Sequence, residues 1–213
     1  MKKSYSLIEL ILVVFLISIL YSSISLNKYD SKLDELTNRI ILYLKQTRYQ
    51  SLIDNEKDRE NSLWHKKRWT LKFFKCKESV SGFYYVIYSD KNMKGHPNLE
   101  ESLKDPLTKK RIYSTNDCQT SKNTSRYVLL TKEFGIKNIS LTCNDTSGIG
   151  QISFGNDGKV YSRLSNNENQ EDEYEIIGKC KIVLEGDKSD LREIIIEGES
   201  GYVYEKKENK KDE

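Results

Sequence analysis

Residues 1–26 read MKKSYSLIELILVVFLISILYSSISL, and the placement of the rest of the chain follows from this stretch. Lys2 and Lys3 lead. Glu9 stands at the entrance to an apolar run, Leu10 to Leu20 is apolar except for Ser18, and the remainder to Leu26 is rich in small hydroxyl residues. As a helix, Tyr5 to Leu26 would extend about 33 Å at a rise of about 1.5 Å per residue. That matches a hydrocarbon core of about 30 Å. The two lysines would then hold the N-terminus in the cytoplasm and send everything after Asn27 to the other side. A cleaved secretory signal fits less well, because no A-x-A-like site follows the apolar run.

Glu9 is the exceptional residue in this run. A carboxylate inside a spanning helix is costly without a partner, so it marks a functional position. The competing reading is an ordinary signal anchor with Glu9 at headgroup level.

The chain has 213 residues, with Lys+Arg 35 against Asp+Glu 32 and a net charge of +3. That length suits one domain plus an anchor, and the near balance gives no broad electrostatic footprint for nucleic acid. Fourteen tyrosines and only two prolines favour strands over disorder. The four cysteines are Cys76, Cys118, Cys143 and Cys180. None lies in a C-x-x-C pair, which argues against a zinc site. Two disulfides in an oxidising space are expected, with three pairings open.

Beyond Asn27, Leu33, Leu36, Ile40, Ile41, Leu44 and Leu52 recur near helical spacing, which predicts an amphipathic helix within residues 27–55. Residues 56–204 read as a β-rich domain. Strands are expected at Trp69 to Cys76 and Phe83 to Tyr88, paired as a hairpin. Short apolar runs follow at Tyr127 to Thr131 and Ile139 to Thr142. A tight turn at Gly155-Asn156-Asp157-Gly158 joins Gln151–Phe154 to Lys159–Tyr161. Further strands are expected at Cys180 to Leu184, Glu193 to Ile196 and Tyr202 to Tyr204. Residues 89–124, Ser89 to Thr124, form a long polar insertion of poor periodicity, the kind of loop that is functional or mobile. The charged tail 205–213 is expected to be disordered.

Ser4-Tyr5-Ser6-Leu7-Ile8-Glu9-Leu10 resembles the type IV prepilin signature, in which a small residue and an aromatic precede T-L-I-E-L. The resemblance implies a leader of residues 1–4, cut between Ser4 and Tyr5 by a prepilin peptidase. It also implies N-methylation of Tyr5 and a role for Glu9 in assembly, paired with the amine of the next subunit. Three later segments extend the likeness: Q-x-R-x-x-S-L at Gln46 to Leu52, I-S-F-x-x-D-G-K at Ile152 to Lys159, and the closing I-I-I-E-G-x-x-G-Y-V hairpin. Together they are similar to H-type minor pseudopilins of type II secretion and to minor type IV pilins. The implied fold is α+β and pilin-like: a long N-terminal helix, its first half (5–26) membrane-spanning, packed on a small antiparallel β-sheet or sandwich. The implied place is the bacterial inner membrane, single-pass, with the C-terminal domain periplasmic. The implied partners are the peptidase, other pilin or pseudopilin subunits, an inner-membrane assembly platform and membrane lipid. No cofactor is implied.

Two further groups draw notice. Trp64, His65, Lys66, Lys67, Arg68 and Trp69 cluster basic and aromatic residues that could hold phosphate and stack bases, as in a DNA-binding minor pilin; the competing reading is a half-buried rim. Asp90, Asn92, Gly95 and Glu101 sit at the first, third, sixth and twelfth positions of an EF-hand-like loop. Lys94 occupies a ligand position there, Pro97 interrupts the loop, and a strand rather than a helix precedes it. No catalytic constellation is present. His65 and His96 lack a nucleophile elbow, and Gly148-Ile149-Gly150 opens no helix. The expected role is therefore a structural subunit. The alternatives are DNA uptake, or an anchored periplasmic domain without a role in assembly.

Overall fold

A computed structural model describes residues 7–25, 32–54, 57–58, 60–187 and 190–206. The described residues fall into two units, one before and one from Lys32 onward. In the first, helix α1 runs Leu7–Ser25, and its described side chains extend from Leu7 to Ile19, all exposed. Ser18 satisfies its hydroxyl locally, donating to the Val14 carbonyl at 2.8 Å. Glu9 lies in the first helical turn, where the helix dipole favours a carboxylate.

The expectation of a long helix with a membrane-spanning first half is corrected here. Among the described residues no helix is long and apolar enough to cross a membrane. The transmembrane and inner-membrane assignments fall with it. Ser4 and Tyr5 lie outside the described residues.

The second unit begins with helix α2, Lys32–Ile53. Leu33, Leu36, Ile40 and Leu44 are buried as the spacing predicts, and Thr37, Tyr43, Thr47 and Ser51 widen the buried face. Leu52, expected on that face, is 40% exposed. The buried threonines are tolerated because each hydroxyl donates to the carbonyl one turn back, Thr37 to Leu33 at 2.8 Å and Thr47 to Tyr43 at 2.6 Å.

The helix packs on two antiparallel four-stranded sheets. The first is built from β1 (Trp69–Lys75), β2 (Phe83–Tyr88), β4 (Gly150–Phe154) and β5 (Val160–Tyr161), in the order β2-β1-β4-β5. The second is built from β3 (Asn138–Leu141), β6 (Lys179–Glu185), β7 (Leu191–Glu197) and β8 (Val203–Glu205), in the order β3-β6-β7-β8. Cys180, Ile182 and Leu184 alternate inward along β6, the period-two pattern of a half-buried strand. One apolar core runs from Leu36, Ile40 and Leu44 to Leu71, Ile152 and Phe154 on one sheet and Ile182, Ile194 and Ile196 on the other.

Polar bonds pin the helix along its length. Arg192 Nε on β7 donates to Asp34 at 2.7 Å, Arg48 Nε to the Ser200 carbonyl at 2.8 Å, and Ser51 Oγ to the Gly155 carbonyl at 3.1 Å. Trp69 Nε1 donates to Asp54 at 3.1 Å.

Three local expectations change. The run Tyr127 to Thr131 is not a strand but helical: a 3₁₀ turn at Arg126–Val128 precedes helix α3, Leu130–Phe134. Leu130 and Phe134 are buried on one side of it, and Gly135, at φ +74°, ends it in the left-handed conformation. Glu205 ends β8 of the second sheet and Lys206 N donates to the Glu193 carbonyl at 2.9 Å; residues 207–213 lie outside the described residues. The insertion 89–124 is anchored rather than loose. Leu103 N donates to the Ile87 carbonyl at 2.8 Å and Ile87 N to that of Ile112 at 3.2 Å, so it lies along β2, with Ile112 fully buried.

Two disulfides select one of the three pairings. Cys76–Cys118 fastens the insertion to the end of β1, and Cys143–Cys180 joins the segment after β3 to β6. Their sequence separations are 42 and 37, for which chain entropy alone predicts about 4 kcal/mol each. The double substitution Cys76→Ser, Cys118→Ser should lower stability by about 2–4 kcal/mol in urea unfolding without changing far-UV circular dichroism.

The insertion is also tied to α2, Tyr43 Oη donating to Asp105 Oδ2 at 2.6 Å. Burial pushes the Asp105 carboxyl up, but the Thr108 N–H, the Tyr43 hydroxyl and the Leu107 N–H outweigh it, and the net direction is below its ordinary 3.8. A carboxyl depressed in the folded state adds stability above its unfolded value, and that stability is lost as pH falls through the folded value. Unfolding measured at about pH 5 and about pH 3 should therefore show a steeper loss for the natural chain than for Asp105→Asn.

Candidate functional site

The basic-aromatic cluster is an internal stack rather than a surface. Trp64 and His65 lie in a 3₁₀ turn, Trp64–Lys67, that leads into β1. Trp64, His65, Arg68 and Trp69 are buried. The Arg68 guanidinium sits 3.7 Å from the centre of the Tyr161 ring and 5.1 Å from that of Trp64, and its Nη1 donates to the Glu171 carbonyl at 2.6 Å. Burial lowers the Arg68 pKa from its ordinary value, opposed by Tyr161 and nearby carboxylates. Base stacking needs exposed rings, and both indoles are inside. Only Lys66 and Lys67 of the group reach partial exposure. His65 Nε2 lies 3.0 Å from the Ser165 carbonyl, while Nδ1 has no partner among the described residues. Burial lowers its pKa, and because a carbonyl only accepts, Nε2 carries the proton of that contact.

The EF-hand-like segment is held by its own backbone. Asp90 is 5% exposed. Its Oδ1 accepts from Lys94 N at 3.1 Å and its Oδ2 from Gly95 N at 2.7 Å. Asn92 Oδ1 also accepts from Lys94 N, at 2.9 Å. Glu101 Oε1 accepts from Asn92 N at 2.9 Å, and Oε2 accepts from the Asn98 amide. These oxygens close turns, as Asx side chains do, instead of converging on one point. Among the described residues no group of three or more His, Cys, Asp or Glu side chains is placed to hold a metal.

The structure brings two separately noted groups together. Lys66 from the basic cluster, and Asp90 with Gly95 from the loop after β2, line one cleft of about 350 Å³. Lys72, Tyr88, Gln151 and Arg163 also line it, with Thr146, Ser147, Leu164 and Asn166. Lys72 and Gln151 are register partners on β1 and β4. They occupy the sheet face opposite the Phe73 and Tyr85 rings, which pack toward Tyr43 of α2. The sequence carried one usable signal, a lysine in mid-strand between Leu71 and Phe73. Arg163 could not be linked to it, being brought in by the chain leaving β5.

The other chemically distinct element is α1. From Leu7 to Ile19, eleven large apolar side chains are each 48–78% exposed. Glu9 is the only ionisable residue in that span.

Comparison with models of known families, with curated proteins and with solved structures gives no match.

Asp90 is the latch of the cleft rim. Asp90→Ala leaves the Gly95 N–H without its acceptor, while the Lys94 N–H keeps Asn92 Oδ1, and should cost about 1–3 kcal/mol, read from thermal or urea unfolding. Asp90→Asn, which keeps one acceptor, should cost less.

Proposed function

We propose that the chain is a pilin-like structural subunit, of the minor pseudopilin or minor type IV pilin kind, which assembles through its N-terminal helix. The observation that carries this reading is α1. A helix apolar on every side is stable only when covered. Burying its eleven exposed apolar side chains is worth on the order of 10 kcal/mol or more. Helices of neighbouring subunits are the cover this reading assigns.

Glu9 then has a specific task. Removal of residues 1–4 by a prepilin peptidase creates a new amine on Tyr5, which is methylated. That cation, on the adjoining subunit, is the partner that makes a carboxylate acceptable between packed helices, where an uncompensated charge costs several kcal/mol. Residues 32–206 serve as the head. Their core is closed by α2 and their two disulfides suit assembly in an oxidising environment. DNA uptake gains no support, because the rings that would stack bases are buried.

Glu9→Ala tests the reading. The variant should retain the natural disulfides and circular dichroism, yet its incorporation into the assembled fraction should fall by about 100-fold or more. Undiminished incorporation would sink the assembly role. Intact mass of the native protein should begin at methylated Tyr5; a chain beginning at Met1 would remove the processing step.

A further inference from the structure

The cleft on the outer face of the first sheet has the composition of an anion site. Three cations line it, Lys66, Lys72 and Arg163. They come from three separate segments: the turn before β1, the middle of β1, and the chain after β5. Among the described residues none of the three has a carboxylate within 4 Å, since the ion pairs of this domain fall elsewhere. Two of them are instead held by aromatic rings. Lys72 Nζ lies 5.4 Å from the centre of Phe74, and the Arg163 guanidinium 5.2 Å from that of Tyr174. Such contacts orient a cation while leaving its N–H donors available.

The acid on the wall, Asp90, makes no ion pair with any of the three. Asp90 has both oxygens engaged by the N–H groups of Lys94 and Gly95. It influences Lys72 only through space.

Lys72 is the decisive residue. It sits on β1 with β2 on one side and β4 on the other, opposite Val86 and Gln151 in register, and it is partly buried. Burial lowers its pKa from the ordinary lysine value, which Asp90 partly opposes. A partly desolvated ammonium without a hydrogen-bonded counter-charge is unfavourable. Arg68, a few residues earlier, faces the same problem and solves it with a carbonyl and two rings. For Lys72 the missing element is an anion.

We propose that this cleft binds a small molecule bearing phosphate or carboxylate groups, held by Lys66, Lys72 and Arg163, with the Gln151 amide and Tyr88 facing its body. The volume, about 350 Å³, lies at the small end of ligand sites and admits a phosphorylated or polycarboxylate metabolite rather than a polymer. Arg163 supplies the planar fork suited to either group, and the lysines act as point charges. This site does not depend on the assembly role of α1, so either reading can fail alone.

The test uses the full chain with inorganic phosphate, pyrophosphate and citrate, against sodium chloride at equal ionic strength. At least one probe should raise the unfolding midpoint saturably beyond chloride, and calorimetry should give a matching dissociation constant. Comparing pyrophosphate with citrate separates the phosphate and carboxylate classes. Lys72→Met should fold at least as stably as the natural chain without ligand, because it removes an unpaired charge, yet bind at least about ten-fold more weakly. Arg163→Gln, on the loop, gives the same reading should the strand variant fail to fold. Lys132→Met, at an exposed position of α3 outside the cleft, should bind unchanged. Equal stabilisation of all variants, or no saturable effect of any probe beyond chloride, would overturn the proposal.

Discussion

The head of this molecule depends on one helix face meeting two sheets. Leu36, Ile40 and Leu44 of α2 are fully buried, and they join a core to which both sheets contribute. Each sheet has an apolar side that water would otherwise cover, and a single amphipathic helix supplies enough area to close both. The polar bonds at Asp34, Arg48, Ser51 and Asp54 add less energy than this burial. They set the position of the helix along the sheets, because each reaches a different connection or strand end.

With one face of the first sheet given to α2, its other face is left to the connecting segments. The chain after β2, the chain before β4 and the chain after β5 meet there. Their polar groups are largely satisfied within their own turns, Asp90 and Asp105 each accepting two backbone N–H groups. Cys76–Cys118 holds the insertion against this framework. The buried Arg68 and the half-buried Lys72 differ in kind. Arg68 is enclosed by Tyr161, Trp64 and a carbonyl and contributes to packing. Lys72 lines an open cleft with a ring beside it and makes no ion pair there.

The N-terminal helix poses the opposite problem. Its apolar side chains are exposed on all sides, and a carboxylate stands in its first turn. Covering that surface would be favourable. Within an apolar contact the carboxylate would also decide which neighbour, in which register, is acceptable. This is why the assembly reading rests on α1 and Glu9 rather than on any feature of the head.

Much of the local structure was legible in the chain alone. The buried face of α2 follows from its spacing, the β1–β2 hairpin from two runs rich in aromatic and apolar residues on either side of a turn, and the β4–β5 turn from Asp157-Gly158, with Gly158 at φ +84°. These depend on neighbours within a few residues. Tyr127 to Thr131 was misread because a short apolar run has no period long enough to separate strand from helix; packing of Leu130 and Phe134 decided it. The length of the apolar N-terminal stretch suggested a membrane span that the described helix does not support. Only the tertiary structure could pair Cys76 with Cys118, bury Trp64 and Trp69, or place Arg163 beside Lys72. Each of those outcomes depends on which segments the two sheets bring together, and residues far apart in the chain carry no local mark of that meeting.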